Sequence, residues 1–428
     1  MHMRARLKYL TTGLTLLALW NGGCHSGSDA RQARVDSATL TGIAPEADLT
    51  TEALRWADSV VASTPRERKA AMLLMPALYA RTDVPTMNRI ATLCHDLGVG
   101  GLLLLKGDLP SAAAIADTLR AFEADGLPPA FIAVDAENGL HMRFSDAPEF
   151  PWNRDLGNLS DDQLMYEFGR ELARECRVVG INMVLGPVMD VVPQWIRGGV
   201  MRKRSLGSDP HKVANLAVAY ARGIEDGNVL SVAKHFPGHG SSDSDSHKAL
   251  GVIRSSRHRL DSIDLYPFRC YSDESLSAIM VGHLAVKALD TVKRPAVVSP
   301  VVMHDILRDE IGFRGLVITD ALNMEGAMGV HAWEAIRAGA DLVIAPTDTP
   351  RELRAMLEAM ADGRLDPATV DDRCRRILFY KYLLSRADAH TTSHTRKSPA
   401  EIYRQIETQA PAMRDTLTGA LRRAALHP

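Results

Sequence analysis

Hydrophobic positions in this chain alternate between two patterns. Short unbroken apolar runs occupy 71–76, 100–105, 130–134, 181–185, 230–233, 277–281, 316–319 and 342–345. None shows the two-residue alternation of a half-exposed strand, so they predict parallel strands covered on both faces. Between most of them run longer stretches with helical spacing. In 209–227, for example, Pro210 stands near the start, and Val213, Leu216, Ala217, Tyr220 and Ile224 fall on one face. Eight strands joined by helical crossovers predict an α/β fold, a (β/α)8 TIM-type barrel, as a single catalytic domain over 51–388. GxGxxG follows none of the strands, which argues against a dinucleotide-binding sheet.

The two ends of the chain read differently. Arg4, Arg6 and Lys8 precede an apolar or uncharged run from Leu10 to Trp20, and Asn21-Gly22-Gly23-Cys24 follows. This layout predicts a secretory signal over 1–23, too short for a membrane-spanning helix. The small residues before Cys24 resemble a bacterial lipoprotein processing site, although Asn21 departs from the usual residue there. That resemblance implies lipidation of Cys24 and an exported, lipid-anchored protein of the cell envelope, on the periplasmic or outer-membrane face. Residues 24–50 are polar and suit a tether. At the other end, Ser398-Pro399-Ala400-Glu401 is a capping box opening a helical tail within 389–428, expected to be peripheral.

Composition narrows the partners. Fifty Lys plus Arg against 52 Asp plus Glu leave no basic excess, so nucleic acid is not an expected partner. The five cysteines form no CxxC pair, which excludes a zinc ribbon or an iron–sulfur site of the usual spacing. Those beyond Cys24 offer no clear disulfide, and three of them sit in apolar stretches expected to be core.

In a parallel barrel the ends of all strands open on one rim, and chemistry gathers there. The strand ends carry Asp135, Asp190, Lys234-His235, His283 and Asp320. One aspartate after a strand is usually a helix cap. Their convergence is what points to a site.

The segment Lys234-His235-Phe236-Pro237-Gly238-His239-Gly240, followed by Asp243 and Asp245-Ser246-His247, resembles glycoside hydrolase family 3, in its single-domain β-N-acetylhexosaminidase branch. Three more segments match that family in the same order. They are Asp135-Ala136-Glu137-Asn138-Gly139-Leu140-His141-Met142-Arg143, Arg204-Ser205-Leu206-Gly207-Ser208-Asp209-Pro210, and Val317-Ile318-Thr319-Asp320-Ala321-Leu322-Asn323-Met324-Glu325-Gly326-Ala327. The resemblance implies a retaining exo-β-N-acetylglucosaminidase that acts on carbohydrate from peptidoglycan or chitin and needs no cofactor or metal. It implies Asp320 as the nucleophile and His247, oriented by Asp245, as the acid. It also implies Asp135, Arg143, Arg204, Lys234 and His235 as substrate-binding residues, with Asp190 and His283 shaping the rim and His239 holding the loop. Asn138, Leu140 and His141 replace the family's Gly, Arg and Val, a departure that bears on subsite geometry.

Two other functions fit the residues: transfer of the sugar to phosphate, since a histidine replaces an anionic acid, and a non-catalytic glycan-binding lipoprotein. A metal site built from His235, His239 and His247 is disfavoured, because Pro237 and Gly238 break the helix that an HxxxH pair needs.

Overall fold

The computed structural model describes residues 47–124, 128–196, 199–242, 250–327, 329–389 and 397–426. The expected signal, Cys24, and the loop residues Asp243, Asp245 and His247 lie outside them.

Eight parallel strands close into a (β/α)8 barrel. Strand β1 comes in two pieces, Leu74–Met75 and Ala77–Ala80, and β2 is Gly101–Gly107. Next come β3 (Phe131–Val134), β4 (Met183–Val184), β5 (Leu230–Phe236), β6 (Ala278–Val281), β7 (Leu316–Thr319) and β8 (Val343–Ile344). Neighbours pair in chain order, from Ala77 opposite Leu103 through to Met280 opposite Ile318. A single bridge from Ile318 to Leu342 joins β7 to β8, and Val343 opposite Leu74 closes the ring on β1. Closure removes every sheet edge, and the strands are apolar on both faces because side chains fill the inside and the crossover helices cover the outside.

The strands lie on or beside the apolar runs, though β1 runs on to Ala80 and β2 to Gly107, and two further differences are instructive. Ala71 and Met72 belong to the helix Arg66–Met72, so β1 starts at Leu74 rather than at 71. A short buried apolar run has the same composition in either element, and only pairing decides. Strand β5 extends past 233 through Lys234, His235 and Phe236, all buried. A small parallel pair, Gly251–Ile253 with Leu284–Val286, stands outside the barrel ring.

Local chemistry sets the crossovers. Asp209 caps the helix Pro210–Asp226 by accepting from His211 N (2.8 Å) and Lys212 N (3.3 Å), and Pro210 occupies the first turn, where no N–H partner is needed. Its face of Val213, Leu216, Ala217, Tyr220 and Ile224 is buried. Each such large aliphatic side chain contributes about 1.5–3 kcal/mol by leaving water. This helix packs backbone-close against Asp162–Val178, because a side chain at Gly169 or Gly223 would strike the carbonyl of Tyr220 or of Tyr166.

The tail is not peripheral. Helices Pro399–Glu407 and Ala410–Leu426 bury Ile402, Ile406, Ala410 and Leu417. Arg174 donates to the carbonyls of Gln405 (2.6 Å) and Ile406 (2.9 Å), and the Tyr403 hydroxyl donates to Asp146 (2.9 Å). An arginine-rich segment hides its apolar stripe well: Ile402 and Ile406 are four residues apart, one helical turn.

Candidate active site

Six of the expected site residues meet at the C-terminal mouth of the barrel. Asp135 follows β3, and its two oxygens divide their partners. Lys234 Nζ donates to Oδ1 at 2.7 Å and Arg143 Nη2 to Oδ2 at 2.5 Å. Lys234 also lies 2.8 Å from Glu137 Oε1. Arg204 grips Glu137 with both arms of its guanidinium, Nη2 to Oε1 at 2.6 Å and Nε to Oε2 at 2.9 Å. Asp135, Glu137, Arg143, Arg204 and Lys234 thus form one cluster with more positive than negative charge.

Glu137 is the residue sequence reasoning passed over. It is buried, 3 % exposed. A second acid two positions beyond Asp135 was the available signal, since alternate residues leaving a strand return to the same side.

The cluster sets ionisation. Burial by itself would raise the Asp135 carboxyl, but Lys234 and Arg143 outweigh it and hold the pKa far below the usual carboxylate range. Glu137 is held low in the same way, with Arg204 and Lys234 overcoming burial. Burial works against the Lys234 ammonium, yet Asp135 and Glu137 raise its pKa.

His235 continues the network inward. Arg204 Nη2 has only hydrogens to offer, so it donates to His235 Nε2 at 3.2 Å. The ring proton therefore sits on Nδ1 and is given to Asp190 Oδ2 at 2.7 Å. Asp190 is fully buried and also accepts from the backbone N–H of His235 (3.3 Å) and of His239 (2.6 Å). It ties β5 to the first turn of the glycine-rich loop.

Asp320 follows β7 and stands apart from these saturated carboxylates. It is half-buried, and Oδ1 accepts only the N–H of the next residue, Ala321, at 2.8 Å. Among the described residues nothing bonds Oδ2. Burial pushes its carboxyl upward, but the His235 and His283 imidazoles, the Ala321 amide and Lys234 prevail, and the pKa is lowered. Asp320 is thus an ionised carboxylate with one oxygen open at the mouth.

His283, after β6, holds this carboxylate from behind. A carbonyl can only accept, so His283 Nε2–H donates to Ala321 O at 3.0 Å. The peptide whose N–H bonds Asp320 Oδ1 is therefore clamped through its own oxygen. Burial lowers the His283 pKa against the pull of Asp320.

The departures at 138–141 change how the strand-end loop is braced. Leu140 is fully buried in the core, and His141 Nδ1 lies 2.9 Å from Ala147 O, so the ring donates. Gly139 has φ +107°, and a Cβ there would meet the Phe150 ring at 2.7 Å, so the turn requires glycine. Asp245 and His247 lie outside the described residues.

Comparison with known proteins agrees with this picture. The family described as the glycosyl hydrolase family 3 N terminal domain matches residues 67–379. A β-hexosaminidase of Neisseria meningitidis serogroup C is 35% identical over 262 residues, which span 58% of this chain and 72% of that protein. Among solved structures, a family 3 β-N-acetylglucosaminidase from Paenibacillus sp. strain FPU-7 superposes with a TM-score of 0.71 at 28% identity, over 82% of this chain and 69% of that one. The β-glucoside phosphorylase BglX bound to 2FGlc superposes with a TM-score of 0.76, over 86% of this chain and 66% of that one. At 20% identity it attests the fold alone.

Proposed function

The chain belongs to glycosyl hydrolase family 3 and is a glycoside hydrolase; from that premise we propose a retaining exo-β-N-acetylglucosaminidase that removes terminal N-acetylglucosamine from peptidoglycan- or chitin-derived glycans. The observation that carries the chemistry is Asp320, a carboxylate at the mouth whose Oδ2 has no bonding partner among the described residues and whose pKa is held low by the His235 and His283 imidazoles, the Ala321 amide and Lys234. The β-hexosaminidase and β-N-acetylglucosaminidase relatives support the choice of sugar.

In the first step the open Asp320 oxygen attacks the anomeric carbon as the glycosidic C–O bond breaks, and His247 gives its proton to the departing oxygen. Asp245, two residues earlier, orients the imidazole and favours its protonated form. In the second step water attacks the glycosyl ester, His247 takes the water's proton, and Asp320 leaves. Two inversions give retention. Asp135, Arg143, Lys234, Arg204 and His235 bind the sugar hydroxyls, and Glu137 keeps Arg204 and Lys234 in place for that task.

The same reading has residues 1–23 as an export signal and a lipid on Cys24 that anchors the enzyme in the cell envelope. Loss of labelled palmitate from the Cys24→Ala chain is the expected result there, and equal labelling would refute the anchor.

The deciding experiment is nitrophenol release from the N-acetyl-β-glucosaminide and the β-glucoside, with and without phosphate. Turnover of the N-acetyl sugar that ignores phosphate is expected. Phosphate stimulation with a sugar 1-phosphate product would make the enzyme a phosphorylase, and no turnover by folded protein would make it a glycan-binding lipoprotein.

A further inference from the structure

Below the barrel, opposite the mouth, lies a cavity of about 440 Å³ that takes no part in the chemistry above. The helix Ala47–Ser63 roofs it with Trp56 and Val60, and residues next to the N-terminal ends of β1, β2 and β3 form its floor, among them Met72, Val99 and Ala130. The walls are apolar and polar in near-equal measure, with Trp56, Val60 and Phe122 on the apolar side and Ser63, Thr64, Arg68 and Glu123 on the polar. Of the charged residues that line it, the buried one is Lys381, on the long helix Pro367–Ala389.

Lys381 is 2 % exposed, and its Nζ lies 5.3 Å from the centre of the Phe131 ring. Among the described residues no carbonyl or carboxylate reaches it as a hydrogen-bond or ion-pair partner. Burial pulls its pKa down to about 8, with Glu123 opposing, so the amine is still cationic at neutral pH. The two nearby thiols cannot balance it, since burial pushes Cys94 and Cys374 up to about 12. Glu123 and Arg68 also line the cavity, so its wall keeps a surplus of positive charge.

A buried ammonium without a hydrogen-bonded acceptor is costly, because desolvation is not repaid. A chain that keeps one in a cavity wall is giving up stability at that point, and such local sacrifices mark function more often than architecture. The contrast within this protein is direct: Lys234, equally buried, has two carboxylates within 2.8 Å.

We propose that this cavity is a binding site for a small organic carboxylate with an apolar body, aryl or short-chain, whose carboxylate pairs with Lys381 and whose body lies against Trp56 and Phe122. The volume falls within the range of pockets that enclose small ligands, and apolar surface with a few placed polar groups is their usual construction. The charge selects the acid over its neutral analogues. The site is separate from the mouth, so ligand here leaves the catalytic residues uncovered.

The test uses the full chain and 4-fluorophenylacetate, followed by fluorine NMR. Saturable binding at one site per chain is expected, weakened at least tenfold in Lys381→Met, while neutral 4-fluorophenylacetamide binds both proteins alike. Methionine fills the same space without charge, so the variant should melt no lower than the parent and keep its glycosidase turnover. Absence of saturable binding, equal binding to parent and variant, or competition by N-acetylglucosamine would overturn the proposal. So would a sharp drop in melting temperature, because Lys381 would then be a structural ion.

Discussion

Asp320 at the mouth and Asp341 at the floor border the same strand, β7, and their surroundings could hardly differ more. Asp341 is fully buried. It accepts from the backbone N–H of Val317 (2.7 Å), from Arg308 (3.0 Å) and from Arg376 (2.6 Å), and Arg373 stands 3.6 Å away. Among the described residues, Asp320 accepts a single N–H. Both are aspartates at a strand end. What separates a structural carboxylate from a reactive one is how many of its lone pairs the fold consumes. Glu225, also at the floor, takes a third course: it accepts from Ser231 and from Ser277 N, and burial raises its pKa to about 7, so the fold keeps much of it neutral.

Replacing each aspartate by asparagine puts the comparison at risk. Asp320→Asn removes the attacking oxygen and little else. Turnover should fall by a factor on the order of a thousand or more, with a melting temperature close to the parent's; a wild-type rate would end the nucleophile assignment. Asp341→Asn should do the reverse. Leaving Arg308, Arg373 and Arg376 without their shared anion is expected to cost about 3–5 kcal/mol of stability, read by urea unfolding, with kcat of the folded protein unchanged. A large kcat loss there would mean that the floor also governs the mouth.

A smaller effect sharpens the same contrast. If His283 acts only through the Ala321 carbonyl, His283→Leu should lower kcat about tenfold, since a misplaced nucleophile affects the chemical step, and should leave KM nearly as it was. His283→Gln can place an amide N–H where Nε2–H stood, and it should restore most of the rate. Equal losses in both variants would show that the ring does more than hold the peptide.

Much of this was legible in the chain before folding. The apolar runs at 230–233 and 316–319 became β5 and β7, and Asp209 and Ser398 cap the helices their neighbours announce. Such features are local: a cap and its N–H are two or three residues apart, and a buried strand needs only a run of apolar side chains. The helix reading of 71–72 and the buried stripe of the tail escaped, because composition there suits more than one environment until a partner is packed against it.

The pairings of the site are of another kind. Glu137 meets Arg204 across 67 residues of chain and Asp135 meets Lys234 across 99. No local pattern relates them; closure of the barrel does, by bringing β3 and β5 to one rim. The sequence by itself determined the eight strands, the family and most of the polar residues at the mouth, Glu137 apart. Only the tertiary structure decided which carboxylates spend their lone pairs on neighbours and which keeps one free, because hydrogen-bond saturation depends on groups that meet only when the barrel closes.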